Sequence, residues 1–312
     1  MKQLIPLVLA LLVTPYAWSA QDPRILSTNA ATGAISMHVN NKHCWTYNPT
    51  SEEGKPYFHP LTMPGSDTEL TWYRPSDHKW HLGFWFSWKY INGINFWEPD
   101  TNAVRKVESW TSSFDEKDKV FRSTALLTYH GKGKQILTEN RVTTVTTTQE
   151  GDYTIDWDAT FTAVNETVTF TSTKAGKDKS GMWASGGYAG LMWRFAPTQN
   201  GLAYLFTDAE GRQDRGACGY ESAWMNAIAS NTVSGAAATI RITNHPENPQ
   251  HPVTWFTRHS ALPKSQSGGY NLIGPAVVFH KPLTIDSGKT MRLRYTTTVQ
   301  RVRKLPLLVN RL

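Results

Sequence analysis

The chain has 312 residues, of which 39% are hydrophobic, so it is long enough to bury a substantial core. It contains only two cysteines, which excludes a disulfide-rich scaffold. Part of the formal net charge of +7 lies at 301–311, where no acidic residue is present, and no basic run is interleaved with aromatic residues. The composition therefore gives no support to nucleic-acid binding.

Residues 1–20 have the pattern of a secretory signal peptide. Lys2 precedes an apolar run over residues 4–13, and Ala17, Ser19 and Ala20 supply small residues for cleavage. The run is shorter than the roughly 20 residues that a membrane-spanning helix needs. We therefore expect an exported protein, periplasmic or secreted, with no membrane span, whose mature chain (21–312) forms a single domain.

Segments rich in Thr, Val, Tyr and Phe fill the mature chain, and turns rich in Gly, Asn and Pro separate them. In the clearest segment, Tyr153, Ile155 and Trp157 alternate with polar residues, which is the period of a half-buried strand. Together these patterns predict an all-β fold, a large antiparallel β-sandwich. We predict an extended loop at 50–65, one short helix at 221–229, and strands at 33–39, 45–47, 120–129, 136–148, 153–170, 202–206, 238–243, 253–256, 276–279 and 291–299.

The segment 74–98 concentrates residues that are typical of a functional site. Arg74, Asp77, His78 and His81 lie within its first eight positions. Imidazole titrates near neutral pH, so His78 or His81 can act as acid or base in proton transfer. The planar guanidinium of Arg74 can hold a carboxylate or hydroxyl groups, and Asp77 can orient a neighbouring histidine.

The same segment carries tryptophans whose flat apolar faces suit a sugar ring. Trp88 and Trp97 are candidates for ligand contact, although the alternation around Trp85 predicts that at least half of these tryptophans lie in the core. Asn92 and Asn95 can hydrogen-bond a ligand at the rim, or they can cap turns.

Two later segments can complete the site. In the first, 186–194, Tyr188 is a candidate proton donor and Arg194 a candidate holder of an acidic or hydroxyl group, while the glycines favour a turn or a close approach to a ligand. In the second, the loop 244–252, three prolines fix the direction of a chain that carries His245 and His251. These histidines either contact the ligand or belong to a rigid surface turn.

Metal binding and a disulfide stay open at this point. His78 and His81 have the spacing of a two-histidine metal site, but no HExxH motif or Cys/His cluster accompanies them, so the pattern favours proton transfer and predicts no cofactor. An exported compartment permits a disulfide between Cys44 and Cys218, but their spacing does not say whether they meet.

The chain resembles the methane oxygenase PmoA-like family, also treated as a domain of unknown function, in four motifs: RPSDHKWHLGFWFSWKYINGINFWE, GGYAGLMWRF, NHPENPQHPVTWF and GPAVVFHKPLTIDSGKTMRLRY. The last motif is similar to the ends of galactose-mutarotase-like domains, which implies a β-super-sandwich. Members of the family often occur among exported carbohydrate-degradation genes, which implies a glycan or sugar-derived ligand. The resemblance points to the residues Arg74, Asp77, His78, His81, Asn92, Asn95, Trp97, Tyr188, Arg194, His245 and His251.

These observations favour an exported carbohydrate-active enzyme, a glycan hydrolase or lyase. In this hypothesis His78 or His81 transfers the proton, Tyr188 is a second donor, and Arg74 or Arg194 holds the substrate. The pattern does not separate hydrolysis from elimination. Two alternatives stay open: a glycan-binding protein without catalysis, for which the tryptophans suffice, and a metal-dependent oxygenase, as the family name implies.

Overall fold

The computed structural model describes residues 22–198, 201–259 and 270–303, and this part of the chain is nearly all β. The predicted signal peptide lies outside the described residues. One 3₁₀ helix (Asp214–Ala217) accompanies the strands in the described ranges. The strands are β1 (Arg24–Thr28), β2 (Ile35–Val39), β3 (Lys42–Asn48), β4 (Tyr57–Leu61), β5 (Phe84–Ser87), β6 (Tyr90–Ile91), β7 (Ile94–Asn95), β8 (Ala103–Asp115), β9 (Val120–Gly131), β10 (Lys134–Thr147), β11 (Tyr153–Ala163), β12 (Val168–Thr171), β13 (Gly176–Lys177), β14 (Trp183–Ser185), β15 (Gly190–Arg194), β16 (Leu202–Asp208), β17 (Glu221–Ser222), β18 (Trp224–Asn231), β19 (Ala237–Asn244), β20 (Val253–Arg258), β21 (Leu272–Pro275), β22 (Leu283–Ile285) and β23 (Thr290–Arg301).

Eight long strands form one antiparallel sheet in the order β16-β18-β19-β23-β11-β10-β9-β8. Its centre is the pairing of β11 with β23, which sets Trp157 opposite Tyr295. Both residues are buried, whereas their neighbours Asp156 and Asp158 face outward, as the period of two requires. The strands predicted at 120–129 and 136–148 are therefore confirmed as β9 and β10. The strand predicted at 153–170 is β11 followed, after a break at 164–167, by β12.

Nine shorter strands form a second sheet in the order β1-β2-β3-β4-β5-β15-β21-β20-β17, and it packs face to face on the first. Aromatic rings join the two layers: Phe86 stacks on Trp157 with 4.6 Å between ring centroids, and Trp45 lies 5.4 Å from Phe121. This arrangement confirms the prediction of an all-β, large antiparallel sandwich. The finer likeness to galactose-mutarotase-like super-sandwiches stays a prediction.

The central strands of the nine-stranded sheet are also covered on their other side. Along β5, Phe84 and Phe86 enter the sandwich core, and Trp85 between them points to the opposite face. There it joins a second buried group, called here the outer cluster: Leu82, Trp85, Trp97, Met192, Cys218, Phe256, Leu272, Ala276 and Phe279. Because both faces of the central strands are buried, β5 and β15 are almost continuously apolar.

The glycines of the GGYAG motif allow close packing of the protein on itself. A Cβ at Gly190 would lie 2.3 Å from the carbonyl oxygen of Pro275, and one at Gly187 would lie 2.2 Å from the ring of Phe279. Both glycines have positive φ, at 115° and 78°. Their role in the structure is thus to let the chain at 187–190 pack against the end of β21 and the segment that follows it.

Several local predictions are wrong. Residues 221–229 form β17 and most of β18, because Met225, Ala227 and Ala229 alternate into the core and pairing overrides their helical preference. Residues 276–279 lie after β21 and form no strand, and β4 interrupts the loop predicted at 50–65. Strand β8 was not predicted, since its mostly exposed side chains give no apolar alternation.

The two cysteines do not form a disulfide. Cys44 lies in the sandwich core and Cys218 in the outer cluster, and both are buried as free thiols. The nine-stranded sheet thus lies between the regions into which the two thiols pack. Among the described residues, no helix has the length and apolar character needed to cross a membrane.

A buried ion pair lies inside the sandwich core and generates a stability prediction. Glu139 is 0% exposed and accepts hydrogen bonds from Arg141 Nε (2.6 Å) and from the Tyr129 hydroxyl (2.5 Å). Arg141→Met leaves this carboxylate buried without its cation, so the free energy of unfolding should fall by about 3–5 kcal/mol. Arg122→Met, at an exposed position of β9, should change it by less than about 0.5 kcal/mol. Urea titrations that showed equal stability for the two variants would contradict this account.

Candidate functional site

A closed loop over the outer face of the nine-stranded sheet carries the HxxH motif. Tyr73 and Leu82 form a β-bridge, and the Arg74 amide donates to the carbonyl oxygen of His81 (2.8 Å). Two successive turns follow inside this closure, from Pro75 to His78 and from His78 to His81. The loop is therefore fixed at its base, and its tip holds the motif over the outer cluster.

His78 is the accessible histidine of this loop. Its Nδ1 lies 3.0 Å from Asp77 Oδ2, and the two side chains are 30% and 33% exposed. Its ring is stacked on that of His81 (4.7 Å between centroids) and lies 4.9 Å from the ring of Tyr270. Burial lowers the pKa of His78, against the opposing effect of Asp77. Contact with Asp77 through Nδ1 leaves Nε2 as the nitrogen available for proton transfer.

His81 lies behind His78 and is only 1% exposed. Its ring packs between those of His78 and Trp85, which is 4.8 Å away, and its Nδ1 has no hydrogen-bond partner among the described residues. Burial, together with the positive charge of Arg194, lowers the pKa of His81 well below its usual value. His81 is therefore a neutral packing surface at neutral pH and supports the ring of His78.

Arg194 places a buried positive charge under the same loop. It is 0% exposed at the end of β15, its guanidinium carbon lies 4.0 Å from the centre of the Tyr270 ring, and its Nη2 lies 3.7 Å from Asp77 Oδ1. Burial lowers the pKa of Arg194, but an arginine keeps its charge at neutral pH. Because it is covered, Arg194 acts on its neighbours and positions Asp77 and Tyr270.

Tyr270 faces His78 from the other side of the site. It is partly exposed, and burial raises the pKa of its phenol even though Arg194 and Arg258 act in the opposite direction. The phenol is therefore protonated at neutral pH and can donate a proton or a hydrogen bond. The Ser/Gly-rich sequence before Tyr270 carries no motif, so sequence reasoning did not find this residue.

Aromatic side chains form one wall of the site. Trp97 is 3% exposed and lies 6.1 Å from His81, and Tyr188 is half-buried and lies 6.1 Å from Trp97. Trp80 is half-buried and meets His78 edge to face at 5.3 Å. The structure thus brings Tyr188 and Trp97 to the site, with Trp80 and Tyr188 as the accessible aromatic surfaces.

Arg74 belongs to the base of the loop, and its guanidinium is already occupied. It lies 2.8 Å from Glu53 and 3.2 Å from Glu52, and its Nε donates to the Tyr73 hydroxyl at 2.9 Å. These contacts fix the backbone of Arg74, which has a positive φ of 49°. In this structure Arg74 holds the loop in place and does not turn its guanidinium to His78.

Three residues that were predicted to contact the ligand are instead engaged within the fold. Trp88 is 0% exposed in the sandwich core, with its ring centroid 4.1 Å from that of Phe170, which leaves it no surface for a ligand. Asn92 occupies the turn between β6 and β7 and accepts a hydrogen bond from the Thr169 amide (2.8 Å). Asn95 caps the following turn, since its side chain accepts from the Trp97 amide (2.9 Å) and from the amide of residue 98.

The histidines of the proline-rich loop lie elsewhere. His251 is hydrogen-bonded through Nδ1 to the side-chain amide of Asn244 (2.8 Å). His245 lines a cavity of about 270 Å³ on the eight-stranded sheet, together with Asp158 and Arg294. No contact of the described residues joins either histidine to His78, so the structure does not bring them into the site.

A buried lysine lies beside the site and was not predicted. Lys55 is 2% exposed, donates to the carbonyl oxygen of Trp97 (3.0 Å) and lines a cavity of about 430 Å³ with Glu98 and Arg105. Burial lowers its pKa well below the usual value. Its sequence context, a loop between two turns, gives no signal of burial.

The described residues contain no group of three or more His, Cys, Asp or Glu side chains arranged to hold a metal ion. His78 and His81 stack face to face, with an angle of 29° between the rings. The two rings therefore pack against each other. The arrangement that suits proton transfer is the contact of His78 with Asp77 and Tyr270.

Residues 34–304 match a family model described as a family of unknown function (DUF6807). The chain belongs to the DUF6807 family. No curated protein matches the chain. The matched range includes every residue of the site described above, so the site belongs to the DUF6807 region. The resemblance to the PmoA-like family stays a prediction.

The buried histidines predict how stability depends on pH. The folded-state pKa of His81 lies well below its ordinary value of 6.5, and burial lowers those of His43 and His59 to about 4. The unfolded chain therefore binds more protons below pH 6.5, and the free energy of unfolding should fall with decreasing pH by up to about 1.4 kcal/mol per pH unit for each histidine.

His81→Gln should make the free energy of unfolding fall less steeply between pH 6.5 and 5, by the contribution of one histidine. This change in slope is expected whether or not the substitution alters stability at pH 7. The slope is measured by urea unfolding at a series of pH values. Parallel curves for His81→Gln and the wild type would show that His81 is not held neutral in the folded protein.

Proposed function

We propose that this protein is an exported carbohydrate-active enzyme that uses His78 as an acid–base group on a glycan. The observation that carries the proposal is the contact of His78 with Asp77 on one side and Tyr270 on the other, over the buried charge of Arg194. A base and a protonated phenol thus face each other at an accessible point of an otherwise buried cluster. Export is supported by the N-terminal pattern of residues 1–20.

Each member of this group has a distinct task in the proposed reaction. His78 takes a proton at Nε2, and Asp77 fixes its ring and stabilises the imidazolium that forms. Tyr270 gives a proton to the leaving oxygen. Arg194 holds Asp77 and Tyr270 in position, and neutral His81 gives the ring of His78 a flat surface to pack on.

The aromatic wall supports a sugar as the ligand. Trp80 and Tyr188 are half-buried and offer flat apolar faces beside polar groups, a combination that suits the C–H face of a pyranose ring. The same wall is sufficient for binding without catalysis. A glycan-binding protein is therefore the second candidate, and the activity of a His78 variant separates it from the first.

His78→Asn should abolish turnover while sparing binding. Loss of a general base lowers the rate by about 100- to 10,000-fold, whereas the aromatic wall remains intact. The measurement combines mass spectrometry of products from a panel of plant and algal oligosaccharides with calorimetric binding of the same panel.

His130→Asn, on β9 of the other sheet, is the matched control and should keep full activity. Binding by the wild type without any product from the panel would contradict the enzyme and favour the glycan-binding protein.

The activity should also show a characteristic pH dependence. Only neutral His78 can accept a proton, and burial and Arg194 lower its pKa while Asp77 and Glu98 act in the opposite direction. The acid limb of kcat/KM should therefore have its midpoint below pH 6.5. Asp77→Asn removes one of the groups that raise this pKa, so it should shift the limb to still lower pH and reduce the maximal rate. An acid limb above pH 6.5 in the wild type would exclude His78 in this environment as the base.

A further inference from the structure

We infer that the ligand of this site is a carboxylated sugar, a uronate, and that the reaction is β-elimination. The inference rests on the acid–base function proposed above and adds the substrate class and the bond that breaks. Three features carry it. First, Arg258 lies beside Tyr270 and has no acidic partner among the described residues. Second, the described residues offer no free pair of carboxyl groups near His78, and third, the base His78 faces the phenol of Tyr270.

Arg258 supplies the positive charge for a carboxylate. It is the last residue of β20, is partly exposed, and pairs in register with Leu272, two residues after Tyr270. The charge of its guanidinium acts on Tyr270, and its guanidinium carbon lies 6.0 Å from the centre of the Phe256 ring. Within residues 22–198, 201–259 and 270–303, no acidic side chain forms an ion pair with it, whereas the other arginine beside Tyr270 has Asp77.

The site therefore has an excess of positive charge next to the proposed proton donor. A partly desolvated guanidinium binds carboxylates with paired, charge-assisted hydrogen bonds. Lys79, exposed at the tip of the loop, adds to the positive potential of the entrance. A neutral sugar would leave Arg258 without a counter-ion, and a uronate would neutralise it.

The acidic residues near His78 argue against hydrolysis. Most glycosidases use two carboxyl groups, one as acid and one as base or nucleophile. Asp77 is engaged by His78, and Glu98 is engaged by Lys89 and Asn95. These contacts leave no pair of available carboxyl groups at this point of the described chain, and the remaining proton-transfer groups are an imidazole and a phenol.

These groups match the requirements of β-elimination. Neutralisation of the carboxylate by Arg258 makes the hydrogen on the adjacent carbon, C5, more acidic. Nε2 of His78 removes the C5 proton, the C5–H electrons form the C4=C5 double bond, the C4–O4 bond breaks with its electrons on oxygen, and the Tyr270 phenol protonates O4. The imidazolium then loses its proton and the phenolate gains one by exchange with water, so the enzyme is regenerated without a co-reactant.

The experiment compares oligosaccharides of galacturonate, glucuronate and mannuronate with the same oligosaccharides after chemical reduction of their carboxyl groups. Elimination is read from the ultraviolet absorbance of the conjugated product and from its mass, which lacks the added water of a hydrolysis product. We expect unsaturated products from at least one uronate and none from its carboxyl-reduced counterpart.

Variants test the assigned groups. Arg258→Gln should lower kcat/KM on the uronate by about 10- to 100-fold, the effect of one lost charge-assisted contact. KM should rise because the carboxylate loses its anchor, and kcat should fall because the C5 hydrogen becomes less acidic. Arg258→Lys should recover part of this loss, and Arg241→Gln, exposed on β19 of the other sheet, should have no effect. Tyr270→Phe keeps the ring that packs on His78 and should lower kcat with little change in KM, which tests the mechanism even if Arg258→Gln fails to fold.

The outcomes separate this inference from the function on which it rests. Turnover of a carboxyl-reduced or neutral glycan, or saturated products with added water, would overturn the uronate inference and leave the acid–base enzyme standing. Absence of turnover on every glycan would overturn the proposed function and this inference together. Unchanged kcat/KM in Arg258→Gln would overturn the role of Arg258 as the carboxylate anchor.

Discussion

The site depends on one constraint, which is that the central strands of the nine-stranded sheet are buried on both faces. On β5, Phe84 and Phe86 fill the sandwich core while Trp85 fills the outer cluster. On β15, Trp193 packs into the sandwich core, and the next residue, Arg194, lies against Tyr270 on the outer face. The period of two of a strand makes this division unavoidable, because each residue that packs inward places its neighbour on the outer face. A charged side chain at the end of β15 is therefore held under the HxxH loop, 0% exposed.

The electrostatics of the site follow from that burial. Arg194 cannot escape to solvent, so its charge acts on what lies above it: it helps to keep His81 neutral, it lies against the ring of Tyr270, and it approaches Asp77 at 3.7 Å. Asp77 in turn lies 3.0 Å from Nδ1 of His78. The more accessible histidine of the motif thus has a carboxylate beside its ring, while the second histidine provides packing.

The sequence predicts those strands in which apolar and polar side chains alternate. Strand β11 faces solvent on one side, so the alternation that begins at Tyr153 identifies it. Trp88 follows β5 and Trp97 follows β7, outside any strand, where alternation carries no signal, so the sequence could not separate Trp88 in the core from Trp97 at the site. Tyr270 and Arg258 escaped notice because they are distant from the HxxH loop in sequence. The pairing of β20 with β21 brings Arg258 near Tyr270, which contacts His78.

The central claim is that Asp77 holds His78 as a neutral imidazole with Nε2 ready to accept a proton. Nitrogen NMR of the protein labelled with ¹⁵N-histidine tests it directly, with His78→Asn used to assign the signal. The account predicts the tautomer with the proton on Nδ1 at neutral pH, and a change of that tautomer in Asp77→Asn. A His78 signal showing the proton on Nε2 at neutral pH, or the same tautomer with and without Asp77, would contradict it.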